Sequence, residues 1–220
     1  SALASLGVLG DGQVVNTANV DGDLTIGNSY YYYPQPEAPT VLAALTNQAI
    51  VKGAIFGQVS RFTNSGTIGD AALKRTAVSL NATGAMSFTN SGSILNDAST
   101  RSVNLSVNEG AITATNSGTI AQGLSAFAGN YAYYGTMAPD APQPLKIALT
   151  NSGTIGAGVD TNGNVTQPGA VALNATGAAR NSGNLLAGQS IGVTGASIDA
   201  SNGNVATQGT VSLSATGDVT

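Results

Sequence analysis

Apolar and polar residues alternate along most of this chain. Val103-Asn-Leu105-Ser-Val107, Val78-Ser-Leu80, Val171-Ala-Leu173, Val211-Ser-Leu213 and Ile112-Thr-Ala114-Thr all repeat with a period of two. That period sends successive side chains to opposite faces of a β-strand. The runs are short and stop at Gly, Asn-Gly or Asn-Ser-Gly, which are turn-forming residues. The pattern predicts many short strands separated by tight turns. One stretch departs from it: Thr40-Val-Leu-Ala-Ala-Leu-Thr46 has a spacing that allows one or two helical turns.

Repeats organise these strands. Asn-Ser-Gly begins at Asn64, Asn90, Asn116, Asn151 and Asn181, at separations of 26, 26, 35 and 30 residues. An Ile or Leu follows four residues after each Asn: Ile68, Ile94, Ile120, Ile155 and Leu185. A second phrase recurs as Ala77–Gly84, Ala170–Gly177 and Thr210–Gly217, each reading close to Ala-Val-Ser-Leu-Asn-Ala-Thr-Gly. A β-sandwich could be built from such strands, but it has no reason to repeat at about 26 residues. A coil of three short strands and three turns needs roughly 18–30 residues. The expected fold is all-β, a β-solenoid of about seven to nine coils whose interior is filled by small aliphatic side chains. Ile68, Ile94 and Ile120 should share that interior. Asn at a fixed place in the coil would gain from hydrogen bonding between stacked amides.

Composition narrows the chemistry. Ala 34, Gly 29, Thr 24, Ser 21 and Asn 20 dominate the 220 residues, and only 8% are charged. No His and no Cys are present, which removes zinc sites of the usual ligands, thiol catalysis and a Ser-His-Asp triad. Seven basic against eleven acidic residues, a net charge of −4 and a pI near 4.4 argue against a nucleic-acid partner. No run of about 18 apolar residues predicts a transmembrane helix. The mean hydropathy of +0.12 and the low charge are unlike a disordered chain.

At Asn-Ser-Gly-Thr-Ile and Val-Ser-Leu-Ser-Ala-Thr-Gly-Asp, the sequence resembles the repeat regions of large exported bacterial β-helix proteins. These are the filamentous-haemagglutinin-like exoproteins of two-partner secretion and the passenger domains of autotransporters. The resemblance covers most of 14–27, 47–128 and 151–220. It implies a right-handed parallel β-helix, secreted and displayed at the bacterial cell surface, with an adhesive or structural role.

Two stretches break the pattern. Insertions at about 28–46 and 130–149 carry all seven Tyr (Tyr30, Tyr31, Tyr32, Tyr33, Tyr131, Tyr133 and Tyr134) and six of the seven Pro. Pro removes strand donors and fixes φ, so these stretches should leave the coil path of the otherwise single unit 1–220. Tyr offers a large amphipathic contact surface at low entropic cost, and we expect these seven to form the contact surface; the other reading is that each insertion folds back and shields apolar residues on the flank of the coil. The partners expected are other protein chains, through self-association or continuation in a longer parent, or a cell-surface receptor or glycan. A self-assembling extracellular fibre or surface-layer subunit is the alternative role. The ends should be open, because Val219-Thr220 stops inside a strand-like phrase and Ala2-Leu3-Ala4-Ser5-Leu6 lacks a polar cap.

The remaining candidates are thinner. Asp21-Gly22-Asp23 is the one close carboxylate pair and reads as a turn between Val20 and Leu24. Polysaccharide-active β-helix enzymes need acidic metal ligands with a basic partner, and the basic residues here are scattered, so no enzyme is expected. Asp160-Thr-Asn162-Gly-Asn164 has alternating oxygen ligands for calcium but a misplaced Gly. A polar turn explains it better, so no cofactor is assigned. Sequons at Asn81, Asn104, Asn164 and Asn174 read as turn and strand residues. Thr113-Ala-Thr115 is the kind of pair that ice-binding solenoids array over many rungs, but here it occurs once.

Overall fold

A computed structural model describes residues 2–27, 41–97, 101–108, 110–128, 147–158, 169–175 and 177–220. Among these residues the chain is all-β, has no helix, and pairs its strands only in parallel. The strands fall into stacks. The first face holds Leu6–Val8, Leu24–Ile26, the start of Ile55–Asn64, Val78–Ala82, Val103–Val107 and Leu124–Ala128. The second holds Gln13–Asn16, Leu42–Asn47, the end of Ile55–Asn64, Met86–Asn90, Ile112–Asn116, Ile147–Asn151, Ala178–Asn181 and Ser197–Asp199. The third holds Ile50–Val51, Thr67–Ile68, Ser93–Ile94, Thr119–Ile120, Thr154–Ala157, Asn184–Ala187 and Asn204–Thr207. A further stack of Ala170–Asn174, Ser190–Gly195 and Thr210–Ala215 begins against Leu124–Ala128 and takes the first face's place in the rotation.

The chain visits these faces in strict rotation. Parallel neighbours cannot be joined by a hairpin and need a crossover, and here strands of the other two faces supply it. Ile55–Asn64 runs through a corner without a turn and joins the first and second faces into one curled 13-stranded sheet. The antiparallel neighbours of a sandwich do not occur among the described residues.

Alternation then packs the interior. Val51, Ile68, Ile94, Ile120, Ile155 and Leu185 form one in-register column, each at most 3% exposed. The three isoleucines of the repeat do share one interior. Burying each contributes about 1.5–3 kcal/mol. On the second face the inward column runs Val14, Leu45, Phe62, Phe88, Ala114, Leu149, Ala179 and Ile198. The Phe62 and Phe88 rings stack at 5.5 Å with 14° between planes.

Two expectations change. The stretch given helical turns is strand: Leu42–Asn47 is hydrogen-bonded on both edges, to Gln13–Asn16 and to Ile55–Asn64. Leu42 and Leu45 are buried there, and a helix of two turns would be marginal without such packing. The coil length also varies more widely than the Asn-Ser-Gly spacing suggests, from 17 to 35 residues between equivalent Asn. The shortest coil is the one without a corner turn. It bends at Gly57, whose φ of +136° brings its backbone against the Ile26 carbonyl, where a Cβ would collide.

Candidate interaction surface

The repeated tripeptide builds the corner between the second and third faces. Each Asn side chain turns inward and hydrogen-bonds its equivalent on the next strand. Asn16, Asn47, Asn64, Asn90, Asn116, Asn151 and Asn181 form a continuous chain in which each Nδ2 donates to the following Oδ1 at 2.8–2.9 Å. From Asn47 onward Nδ2 also donates to the carbonyl two residues ahead, at 3.0–3.2 Å. All seven are at most 7% exposed. The amides therefore meet their own hydrogen-bonding needs while closing the turn.

Ser and Gly complete the device. The Ser65, Ser91, Ser117, Ser152 and Ser182 backbone N–H groups donate to the Asn carbonyl of the preceding coil at 2.8–2.9 Å. Each hydroxyl donates to that same oxygen at 3.2–3.5 Å. Gly92, Gly118, Gly153 and Gly183 then pass so close to the glycine carbonyl one coil back that a Cβ would overlap it. Asn-Ser-Gly is thus an axial stacking motif in which each residue has a separate task.

Outside the corner the surface carries hydroxyls. Thr46, Thr63, Thr89, Thr115 and Thr150 point outward in one register column of the second face. The column beside it reads Ala44, Arg61, Ser87, Thr113 and Ala148. Thr115 is therefore part of an array, whereas the Thr113–Thr115 pairing is confined to one coil.

The acidic pair of the sequence is a brace between coils. Asp21 pairs with Lys52 at 2.6 Å. Asp23 accepts from the Arg75 guanidinium and, at 2.9 Å, from the Ala54 N–H. Partial burial pushes the Asp23 carboxyl up, but Arg75 and the Ala54 N–H outweigh it and hold the group below the ordinary carboxylate value. Asp21 in turn raises the Lys52 ammonium above its usual range. Among the described residues no three Asp or Glu side chains gather, and no helix is long and apolar enough to cross a membrane. The sequons Asn81 and Asn104 sit exposed on strands of the first face.

The expected contact residues Tyr30, Tyr31, Tyr32, Tyr33, Tyr131, Tyr133 and Tyr134 lie outside the described residues, as does the turn 160–164. The strands on either side of them are described. Residues 28–40 lie between Leu24–Ile26 of the first face and Leu42–Asn47 of the second, and 129–146 between Leu124–Ala128 and Ile147–Asn151. Both stretches are thus rooted at the corner between the first and second faces. Their second-face strands are four steps apart along the asparagine chain, about 19 Å at ~4.8 Å per strand. No protein-family model, curated protein or solved structure matches this chain.

Proposed function

We propose that the chain is a right-handed parallel β-helix serving as a structural and adhesive rod of an exported bacterial surface protein, without enzymatic activity. The handedness follows from the general rule that parallel strand–crossover–strand units are right-handed in about 98% of cases. Three faces visited in rotation, with a shared apolar interior, support a continuous coil. The export and cell-surface setting rest on the resemblance of the Asn-Ser-Gly-Thr-Ile repeats.

The adhesive part of the reading is carried by one observation: both Tyr/Pro-rich stretches root at the same corner, four strands apart. The described strands that flank the two aromatic-rich stretches lie along one edge of the shaft. Aromatics dominate interface hot spots, and all seven Tyr of the chain fall in these two stretches. The test replaces all seven Tyr with Ser and measures binding to cell-surface glycans, host cells or other copies, alongside the unfolding midpoint. Lost binding with an unchanged midpoint supports the reading. A collapsed midpoint means that the Tyr cover the flank of the rod, and the adhesive reading fails.

A further inference from the structure

The corner that follows Asp199 departs from the Asn-Ser-Gly pattern. Arg180 pairs with Asp199 and Asn184 with Asn204, so Ala200-Ser201-Asn202-Gly203 stands where the coil before has Asn181-Ser182-Gly183. Ala200 takes the place of the bridging Asn, and the corner is one residue longer. The extra residue closes a turn in which the Gly203 N–H donates to the Ala200 carbonyl at 3.1 Å. Asn202 is exposed on this turn, and its Nδ2 donates to the neighbouring Ser201 hydroxyl at 3.4 Å. The outward place of a corner is open to solvent even where coils lie on both sides of it, as at Ser91, Ser117 and Ser152.

An Asn followed by Gly has a reaction open to it. The backbone nitrogen of the next residue attacks the side-chain Cγ, and without a Cβ on that residue the approach is unhindered. Asn202-Gly203 is the one such pair among the described residues. The exposed Asn81, Asn104, Asn184 and Asn204 lie on paired strands and are followed by Ala, Leu, Leu and Val. Asn64, Asn90, Asn116, Asn151 and Asn181 are buried, and the Ser N–H that follows each donates to the coil behind at 2.8–2.9 Å. There the nitrogen is freed only by parting two coils. The Gly203 nitrogen is freed by opening one exposed turn, a far smaller excursion.

We propose that Asn202 is a site of spontaneous deamidation, with water as the co-reactant. The Gly203 nitrogen bonds to Asn202 Cγ, the Cγ–Nδ2 bond breaks, and the amide leaves as ammonia with the Gly203 proton. The resulting succinimide adds water at either carbonyl, which leaves an aspartyl or an isoaspartyl residue at position 202. Either product adds a negative charge near Asp199, whose carboxylate accepts from the Ser201 hydroxyl at 2.7 Å. The isoaspartyl form also adds a carbon to the backbone where Gly203 packs so tightly on Asn181 that a Cβ would overlap it. Beside it the Asn204 N–H donates to the Gly183 carbonyl at 2.8 Å, a bond that the longer backbone should loosen. This chemistry is independent of the export and adhesive roles proposed above.

The experiment holds the whole 220-residue chain, folded by circular dichroism, in mildly alkaline heavy-oxygen water at body temperature. Peptide mapping by mass spectrometry then follows each Asn over several weeks. The peptide carrying Asn202 should lose ammonia and take up one heavy oxygen, in both aspartyl and isoaspartyl forms. It should do so at least about tenfold faster than the peptides carrying Asn90 or Asn181, since each ~1.4 kcal/mol of opening cost is a factor of ten. In urea, where the coils are parted, the corner Asn should narrow that gap. Asn202→Gln, which would need a larger ring, should abolish the uptake at that peptide. In the isoaspartyl fraction the Asn204 amide should exchange with solvent faster. An Asn202 peptide that keeps its amide throughout, corner Asn that react as fast in the folded chain, or uptake that persists at this peptide in Asn202→Gln would overturn the proposal.

Discussion

Replacing Asn90 with Ala interrupts the asparagine chain at its middle. Asn64 Nδ2 loses the acceptor it holds at 2.8 Å, and Asn116 Oδ1 loses its 2.8 Å donor. Both partners remain at most 2% exposed, so water cannot easily replace Asn90. Asn64 Nδ2 keeps the Gly66 carbonyl at 3.1 Å, so the group left with no partner is Asn116 Oδ1; an orphaned buried polar group costs about 1–3 kcal/mol, and the unmet second N–H of Asn64 adds to it. Asn181→Ala is the matched comparison. It takes one acceptor from Asn151 Nδ2, which keeps the Gly153 and Asn184 carbonyls, both at 3.2 Å. The expected loss there falls below the ~1–3 kcal/mol of an orphaned group. Urea unfolding of both variants, followed by circular dichroism and compared at equal slope, measures the difference. Asn90→Ala should cost more than Asn181→Ala. Equal losses would mean that the side chains act singly and that the chain of amides adds nothing.

Gly92→Ala drives a Cβ into the Gly66 carbonyl and should cost about 1–3 kcal/mol or more, whereas Gly84→Ala meets nothing within 4 Å and should stay within about 0.5 kcal/mol; thermal unfolding of the two reads the contrast. Phe88→Ala removes one ring of the Phe62 stack beside the small Ala114 and should lower stability by about 3–5 kcal/mol in urea titration. Because the Asp23 pKa is lowered on folding, its contribution is present above the unfolded carboxylate value and is lost as pH falls through the folded one. Arg75→Gln should therefore move the Asp23 carboxyl titration upward in NMR and weaken the acid-side loss of stability; a titration that stays put would refute the pairing.

Much of this architecture is legible because the corner demands particular residues. Asn-Ser-Gly recurs since the short Asn amide bridges coils with both an N–H and a carbonyl, and Gly passes so close to the coil behind that a Cβ would overlap it. Asn16 and Asn47 belong to the same chain but are followed by Thr17-Ala18 and Gln48-Ala49, so the tripeptide does not mark them. The repeated Ala-Leu-Thr-Asn ending at Asn47 and Asn151 holds the missing signal. The coil between Asn47 and Asn64 is hidden for a different reason: Ile55–Asn64 turns its corner at the single Gly57, without a turn residue pair to mark it. Leu42–Asn47 resembles a helix because Ala43 and Ala44 blur the alternation; pairing on both edges decides it. The hydroxyl column is invisible locally, because its members are 17 to 35 residues apart and come into register only on stacking.

The central claim is that successive coils stack along one axis at a constant rise. With no native Cys, the chain accepts pairs of spin labels on the outward column of the third face, where Thr67, Ser93, Thr119, Thr154, Asn184 and Asn204 lie in register. Holding one label at Thr67→Cys, the second is placed at Thr119→Cys, Asn184→Cys or Asn204→Cys, and the distances are measured by pulsed electron paramagnetic resonance. A rise of ~4.8 Å per strand gives backbone separations of about 10, 19 and 24 Å, so the three distances should climb linearly with the number of coils. Distances that plateau, or that place Asn204 nearer to Thr67 than Asn184, would contradict the stacked coil.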